Sequence, residues 1–120
     1  MSVSISLNLV VIYSHNLTKS IGFYEKLGLT FEQEQHGKGP VHYSCNLGSV
    51  VLEIYPALNN TVTTKLRLGF SLPDIEKVME DIKTLGQFVI TEPTRSEWGK
   101  RAVIEDPDGY KLELIENRME

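Results

Sequence analysis

The chain contains one cysteine, Cys45. A lone thiol excludes an internal disulfide and fits a reducing compartment, so a cytoplasmic location is expected. Long apolar runs are missing as well. The longest, such as Leu9 to Ile12, fall far short of the roughly 20 residues of a membrane-spanning helix, and no membrane association is expected. Positive charge is not in excess: 12 Lys and Arg stand against 16 Asp and Glu, for a net charge of -4. A nucleic-acid partner, which needs a basic face, is therefore not expected. Met1 to Ser4 carry no basic stretch leading into an apolar run, so no secretory leader is expected. What remains is ordinary: 120 residues, 41% hydrophobic and 23% charged, enough for one domain with its own core.

The chain repeats itself. Leu9-Val10-Val11-Ile12 aligns with Arg67-Leu68-Gly69-Phe70 at an offset of 58. The same offset brings Asn16-Leu17 over Asp74-Ile75 and Leu27-Gly28 over Leu85-Gly86. An offset of 60 sets Val51-Leu52-Glu53-Ile54 over Lys111-Leu112-Glu113-Leu114. Two segments sharing nearly one offset point to an internal duplication.

Each half reads as strand, helix and three shorter strands. The first strands are expected at Ser4 to Tyr13 and Lys65 to Leu72, from their β-branched and aliphatic content. In the second half Ile75, Val78, Met79, Ile82 and Leu85 recur at helical spacing, with Asp74 as cap and Gly86 as stop. In the first half Asn16 caps, Ile21, Tyr24 and Leu27 form the stripe, and Gly28 stops the helix. The later strands are expected at Thr30 to Gln35, Val41 to Leu47 and Ser49 to Pro56, then at Gln87 to Thr91, Arg101 to Glu105 and Lys111 to Ile115. Asp106-Pro107-Asp108-Gly109 fits a type I turn, and Asn59-Asn60-Thr61 reads as the link between halves. The expected class is α+β: two βαβββ modules, about 4–56 and 64–116 within one domain at 4–117, with curved mixed sheets around a cup.

Two motifs carry a family resemblance. Asn16-Leu17-x-x-Ser20-x-x-Phe23-Tyr24-x-x-Leu27-Gly28-Leu29 resembles the first-helix signature of the vicinal oxygen chelate superfamily. Glu105-Asp106-Pro107-Asp108-Gly109-Tyr110-Lys111-Leu112-Glu113-Leu114-Ile115 resembles its C-terminal signature and is particularly similar to glyoxalase I. The superfamily includes glyoxalase I, extradiol dioxygenases, fosfomycin-resistance enzymes and bleomycin-binding proteins. The resemblance implies a ligand cup, and a two-fold homodimer whose sites are often shared between chains. One fold hosts many reactions, so it does not select one.

The resemblance also implies where a metal would sit: one ligand on the first strand and one on the last strand of each half. Here the last-strand positions hold Glu53 and Glu113, while the first-strand positions hold Leu9 and Arg67. Leucine cannot bind a metal, and arginine stays protonated with no lone pair to give. The usual histidine-ligated metal is therefore not expected, and no cofactor is required. An altered set of Glu53, Glu113 and His42 would still suit a divalent ion.

Several readings of these residues stand side by side. Glu53 and Glu113 either face water or face the cup; facing the cup, they are the candidate catalytic bases or acceptors. Arg67 either locks them in a buried cluster or binds an anionic or carbonyl-bearing ligand. His42 and Tyr55 are candidate substrate-binding residues or structural ones. Trp98 either closes over a ligand or caps the core. His36-Gly37-Lys38-Gly39-Pro40 is read as a connecting loop, His15 as a surface residue, and Cys45 as inert packing. The leading expectation is a glyoxalase- or bleomycin-resistance-like protein that binds a small molecule in its cup. A metal-dependent lyase or dioxygenase with altered ligands, and a non-catalytic scaffold or sensor, are the alternatives.

Overall fold

The computed structural model describes residues 5–58, 62, 64–97 and 99–116. Both halves pair their strands in one pattern. In the first, β1 (Leu9–Ser14), β4 (Val50–Pro56), β3 (His42–Leu47) and β2 (Glu32–Glu34) lie in the order β1-β4-β3-β2. In the second, β5 (Arg67–Leu72), β8 (Lys111–Glu116), β7 (Gly99–Glu105) and β6 (Val89–Ser96) lie in the order β5-β8-β7-β6. The edge pairs β1–β4 and β5–β8 are parallel, and the remaining pairs are antiparallel. Two four-stranded mixed sheets with two helices make the α+β class expected. The register also recovers the internal repeat: Val11 lies beside Glu53, and Gly69 beside Glu113.

Helices α1 (Leu17–Lys26) and α2 (Ile75–Lys83) begin where the sequence places their caps. The side chain of Asn16 accepts from the Lys19 amide, and that of Asp74 from the Lys77 amide, each at 3.1 Å. Gly28 and Gly86 follow the helices at φ 108° and 143°, left-handed values that glycine adopts at no steric cost. On α2 the expected stripe is buried through Ile82, while Leu85 beyond the helix end stays exposed. On α1 the buried face is Ser20, Phe23 and Tyr24, so Phe23 does work that the expected stripe gave to Ile21.

Several strand bounds differ from expectation: β2 spans only Glu32–Glu34, β7 begins two residues early at Gly99, and β1, β5 and β6 differ as follows. Residues 5–8 do not join β1, because β4 begins only at Val50 and gives them no ladder to extend; Ile5 is 82% exposed. β5 likewise starts at Arg67, opposite the first residue of β8. β6 runs past Thr91 to Ser96 and carries Pro93 inside it. It is an edge strand with register shifts around Thr91 and Thr94, where a missing amide is tolerated. The link at 59–61, Trp98 and both expected domain ends, 4 and 117, lie outside the described residues.

The halves meet through their helix sides. Ile12, Leu52 and Ile54 of the first sheet share one core with Ala102, Ile104, Leu112 and Leu114 of the second, together with the buried faces of both helices. Phe23 packs edge-on against Phe88 at 5.2 Å, and Tyr24 against Phe70 at 6.5 Å. Alternation along each strand sends Val11 and Glu53, and Gly69 and Glu113, to the opposite faces, away from that core. The chain is accordingly flat, 46 × 42 × 24 Å, with a radius of gyration of 15.1 Å. A close-packed domain of this length would give about 14 Å.

The 106–110 turn clasps the halves together. Asp106 Oδ1 accepts from the amides of Asp108 and Tyr110 at 2.9 and 3.0 Å, while Oδ2 accepts from the Tyr24 hydroxyl at 2.6 Å. Asp108 accepts from the His15 amide at 2.8 Å, and the Tyr110 hydroxyl accepts from the Tyr13 amide at 3.2 Å. Burial and the adjacent Asp106 push the Tyr24 phenol far above its ordinary range. The two motifs that carry the family resemblance thus touch each other and hold the fold.

Candidate functional site

Two open faces present the chemistry. On the first sheet, β4 sends Val51, Glu53 and Tyr55 outward. Register places Ser44 beside Glu53, so His42 shares that face, as do Glu32 and Glu34 of β2. Tyr43 and Cys45 pair with Ile54 and Leu52 and lie on the core side. Cys45 is buried packing, and His15 is exposed.

His42 is 1% exposed although it lies on an open face. Tyr55 stacks on it with rings 4.1 Å apart and 6° from parallel, and His36 leans over it at 5.2 Å. Burial pushes the Tyr55 phenol up, with the charge of Glu53 adding to it. Glu53 itself has no hydrogen-bond or ion-pair partner among the described residues.

On the second sheet, β5 sends Arg67 outward and β8 sends Lys111, Glu113 and Ile115. The Arg67 Nη1 group donates to Glu113 Oε2 at 2.7 Å. Arg101 of β7, not anticipated from sequence, holds the other oxygen: Nη2 lies 3.0 Å from Oε1. Its signal was present in the turn chemistry. A hairpin folded at Asp106 to Gly109 pairs Glu105 with Lys111, and counting back puts Arg101 diagonal to Glu113. Hydrogen bonds from Arg67, then Arg101, hold the Glu113 carboxyl below its ordinary range.

These residues do not fit a metal at the positions the family uses. Leu9 offers no ligand atom, Arg67 donates, and both Glu113 oxygens are engaged by guanidinium groups. Within one chain, the structure joins Arg67 to Glu113 and groups Glu53 with His42 and Tyr55. It does not bring the first group to the second: no hydrogen bond, ion pair or ring contact links the two open faces among the described residues.

The chain belongs to the Glyoxalase/Bleomycin resistance protein/Dioxygenase superfamily, whose profile matches residues 6–114. It is 27% identical over 104 residues to an uncharacterized protein of Mycolicibacterium smegmatis, with 87% of each chain covered. A 50-residue stretch is 44% identical to a probable chloroplastic lactoylglutathione lyase of Arabidopsis thaliana. That stretch is 40% of this chain and 14% of the plant protein. Among solved structures, TnmS3, an antibiotic binding protein from Streptomyces sp. CB03234, superposes with a TM-score of 0.75 at 21% identity, covering 98% of this chain and 100% of that one. That likeness confirms the glyoxalase-like fold. No helix among the described residues is long and apolar enough to cross a membrane.

Proposed function

We propose that this protein is a cytoplasmic small-molecule-binding member of the superfamily, formed by a single domain at 4–117 and acting as a two-fold homodimer. Its ligand would sit between the first-half face of one chain and the second-half face of the partner. The observation that carries this reading is the direction of the two faces: within one chain both turn away from the shared core, so neither can close a cup alone. Charge supports the pairing. Glu32, Glu34 and Glu53 make the first face acidic, whereas Arg67, Arg101 and Lys111 outnumber Glu105 and Glu113 on the second. Leu9 and Tyr13, about half exposed on the same side, supply apolar surface for the contact.

In such a cup Arg67 and Arg101 bind an anionic or carbonyl-bearing compound, and Glu113 positions their forks. Glu53 is the better acceptor or base of the two glutamates, because the guanidinium partners of Glu113 disfavour its protonation. Tyr55, backed by the buried His42 ring stacked on it, gives the ligand an aromatic wall. The reading needs no metal at the family position. It is kin to the antibiotic binding that the name of the structural neighbour TnmS3 gives for that protein.

A panel of carboxylates, aldehydes and antibiotics, screened by thermal melting, checks this. At least one class should raise the melting temperature by mass action, and Arg67→Leu should abolish that rise while leaving the unliganded melting point nearly unchanged. No shift across a broad panel would favour a scaffold instead.

A further inference from the structure

The β2–β3 hairpin of the first half carries a second cluster, apart from the family's ligand positions. Glu34 of β2, His36 of the following loop and His42 of β3 bring one ligand atom each to within 4.8 Å of one another. His42 Nε2 lies 3.4 Å from Glu34 Oε1, and His36 Nε2 lies 3.7 Å from the same oxygen. Tetrahedral ligands at zinc bond lengths stand about 3.3 Å apart, so the spacing is already near that of a bound ion.

The state of His42 makes the cluster more than a coincidence of polar residues. Its Nδ1 lies 3.2 Å from the Pro40 carbonyl oxygen. A carbonyl can only accept, so Nδ1 donates to it and Nε2 is the ring nitrogen turned toward Glu34. That nitrogen is buried, has no hydrogen-bond partner, and faces the Glu34 carboxylate. A buried, unpartnered ring nitrogen beside a carboxylate is where a cation between the two would satisfy both. The Pro40 carbonyl is also the partner that commonly fixes the tautomer of a metal-bound histidine. Tyr55, stacked on the imidazole, holds the ring in place.

We infer that Glu34, His36 and His42 form a site for a divalent first-row cation, zinc above all, one per chain, on the open face of the first half. Two imidazoles and one carboxylate leave a coordination position for a ligand oxygen. His42 and Glu34 are supplied by paired strands, while His36, in the exposed loop, completes the set. The site lies within one half and does not depend on the shared cup.

Titration of zinc into the chelator-stripped full chain, followed by calorimetry, tests this, with cobalt as a spectroscopic probe of coordination number. One equivalent should bind per chain, and cobalt should give the intense visible bands of a low-coordinate site. Glu34→Gln and His36→Gln, both at solvent-reached positions, should each lose more than about 100-fold in affinity, beyond the loss typical of outer-shell changes. His15→Gln, which alters the third histidine of the chain, should bind as the unaltered protein does. Absence of stoichiometric binding, or unchanged affinity in either of the first two variants, would overturn the inference.

Discussion

Replacing Asp106 by alanine is expected to cost about 3–5 kcal/mol of folding free energy, a large part of the roughly 5–15 kcal/mol that holds a domain this size. Its carboxylate satisfies the Tyr24 hydroxyl and the amides of Asp108 and Tyr110. Tyr24 is fully buried and has no water to turn to. Each buried partner left bare costs roughly 1–3 kcal/mol. The damage also spreads beyond the turn, because Asp108 and Tyr110 bond across to His15 and Tyr13. Urea unfolding monitored by fluorescence and circular dichroism measures the loss, and a double-mutant cycle with Tyr24→Phe should give a coupling of about 1 kcal/mol or more. The pH dependence has a definite sign. Burial raises the Asp106 carboxyl above its unfolded value of 3.8. Its stabilising term is therefore complete below 3.8 and is lost as pH rises through the folded value. Asp106→Asn should flatten that slope. Glu113, held low by Arg67 and Arg101, acts oppositely: its contribution is present above 4.5 and fades as pH falls through the folded value.

Equally large, and aimed at function, is the expected outcome of mixing two inactive variants. Glu53→Ala spoils the first-half face and Arg67→Ala the second-half face. Each variant alone should bind none of the ligand found by the melting screen. If the cup is built from two chains, a mixed dimer pairs the intact second half of one with the intact first half of the other. Random pairing then restores about a quarter of the cups, since half the dimers are mixed and each has one intact cup. The variants should be refolded together to exchange subunits, and binding measured by calorimetry. If each cup lay within one chain, no mixture would recover anything.

The sequence made the architecture readable because the repeat supplied two independent copies of each local signal. Asn16 and Asp74 marked the same helix start twice, and the offsets of 58 and 60 anticipated the equivalence of Val11–Glu53 and Gly69–Glu113. Period-two alternation put Glu53 with Tyr55, and Glu113 with Lys111 and Ile115, on single faces, and the core of Ile12, Leu52 and Ile54 shows the first of these to be open. The length of β1 was not readable, because a ladder ends where its partner begins: residues 5–8 have strand-forming composition, but β4 reaches only the Asn8 carbonyl, through the Val51 amide. Nor was the Tyr24–Asp106 bond, which joins residues 82 apart with no spacing rule between them.

The site was legible in part, for reasons of distance along the chain. Hairpin neighbours could be counted: Arg101 from the Asp106–Gly109 turn, and Glu34 opposite His42 across the His36–Pro40 loop. The relation between the two halves could not, since a duplicated sequence is satisfied equally by faces that meet within a chain and by faces that turn apart. Only packing decides, and here Phe23, Tyr24, Phe70 and Phe88 pull the helix sides together and leave the charged faces outside.

Sedimentation equilibrium of the purified chain tests this arrangement most directly. Two open faces of opposite charge, each half of a cup, should pair, giving a mass of about 27 kDa, twice the 13.6 kDa of one chain. A species that remains at 13.6 kDa at micromolar concentration and still binds its ligand would contradict the account.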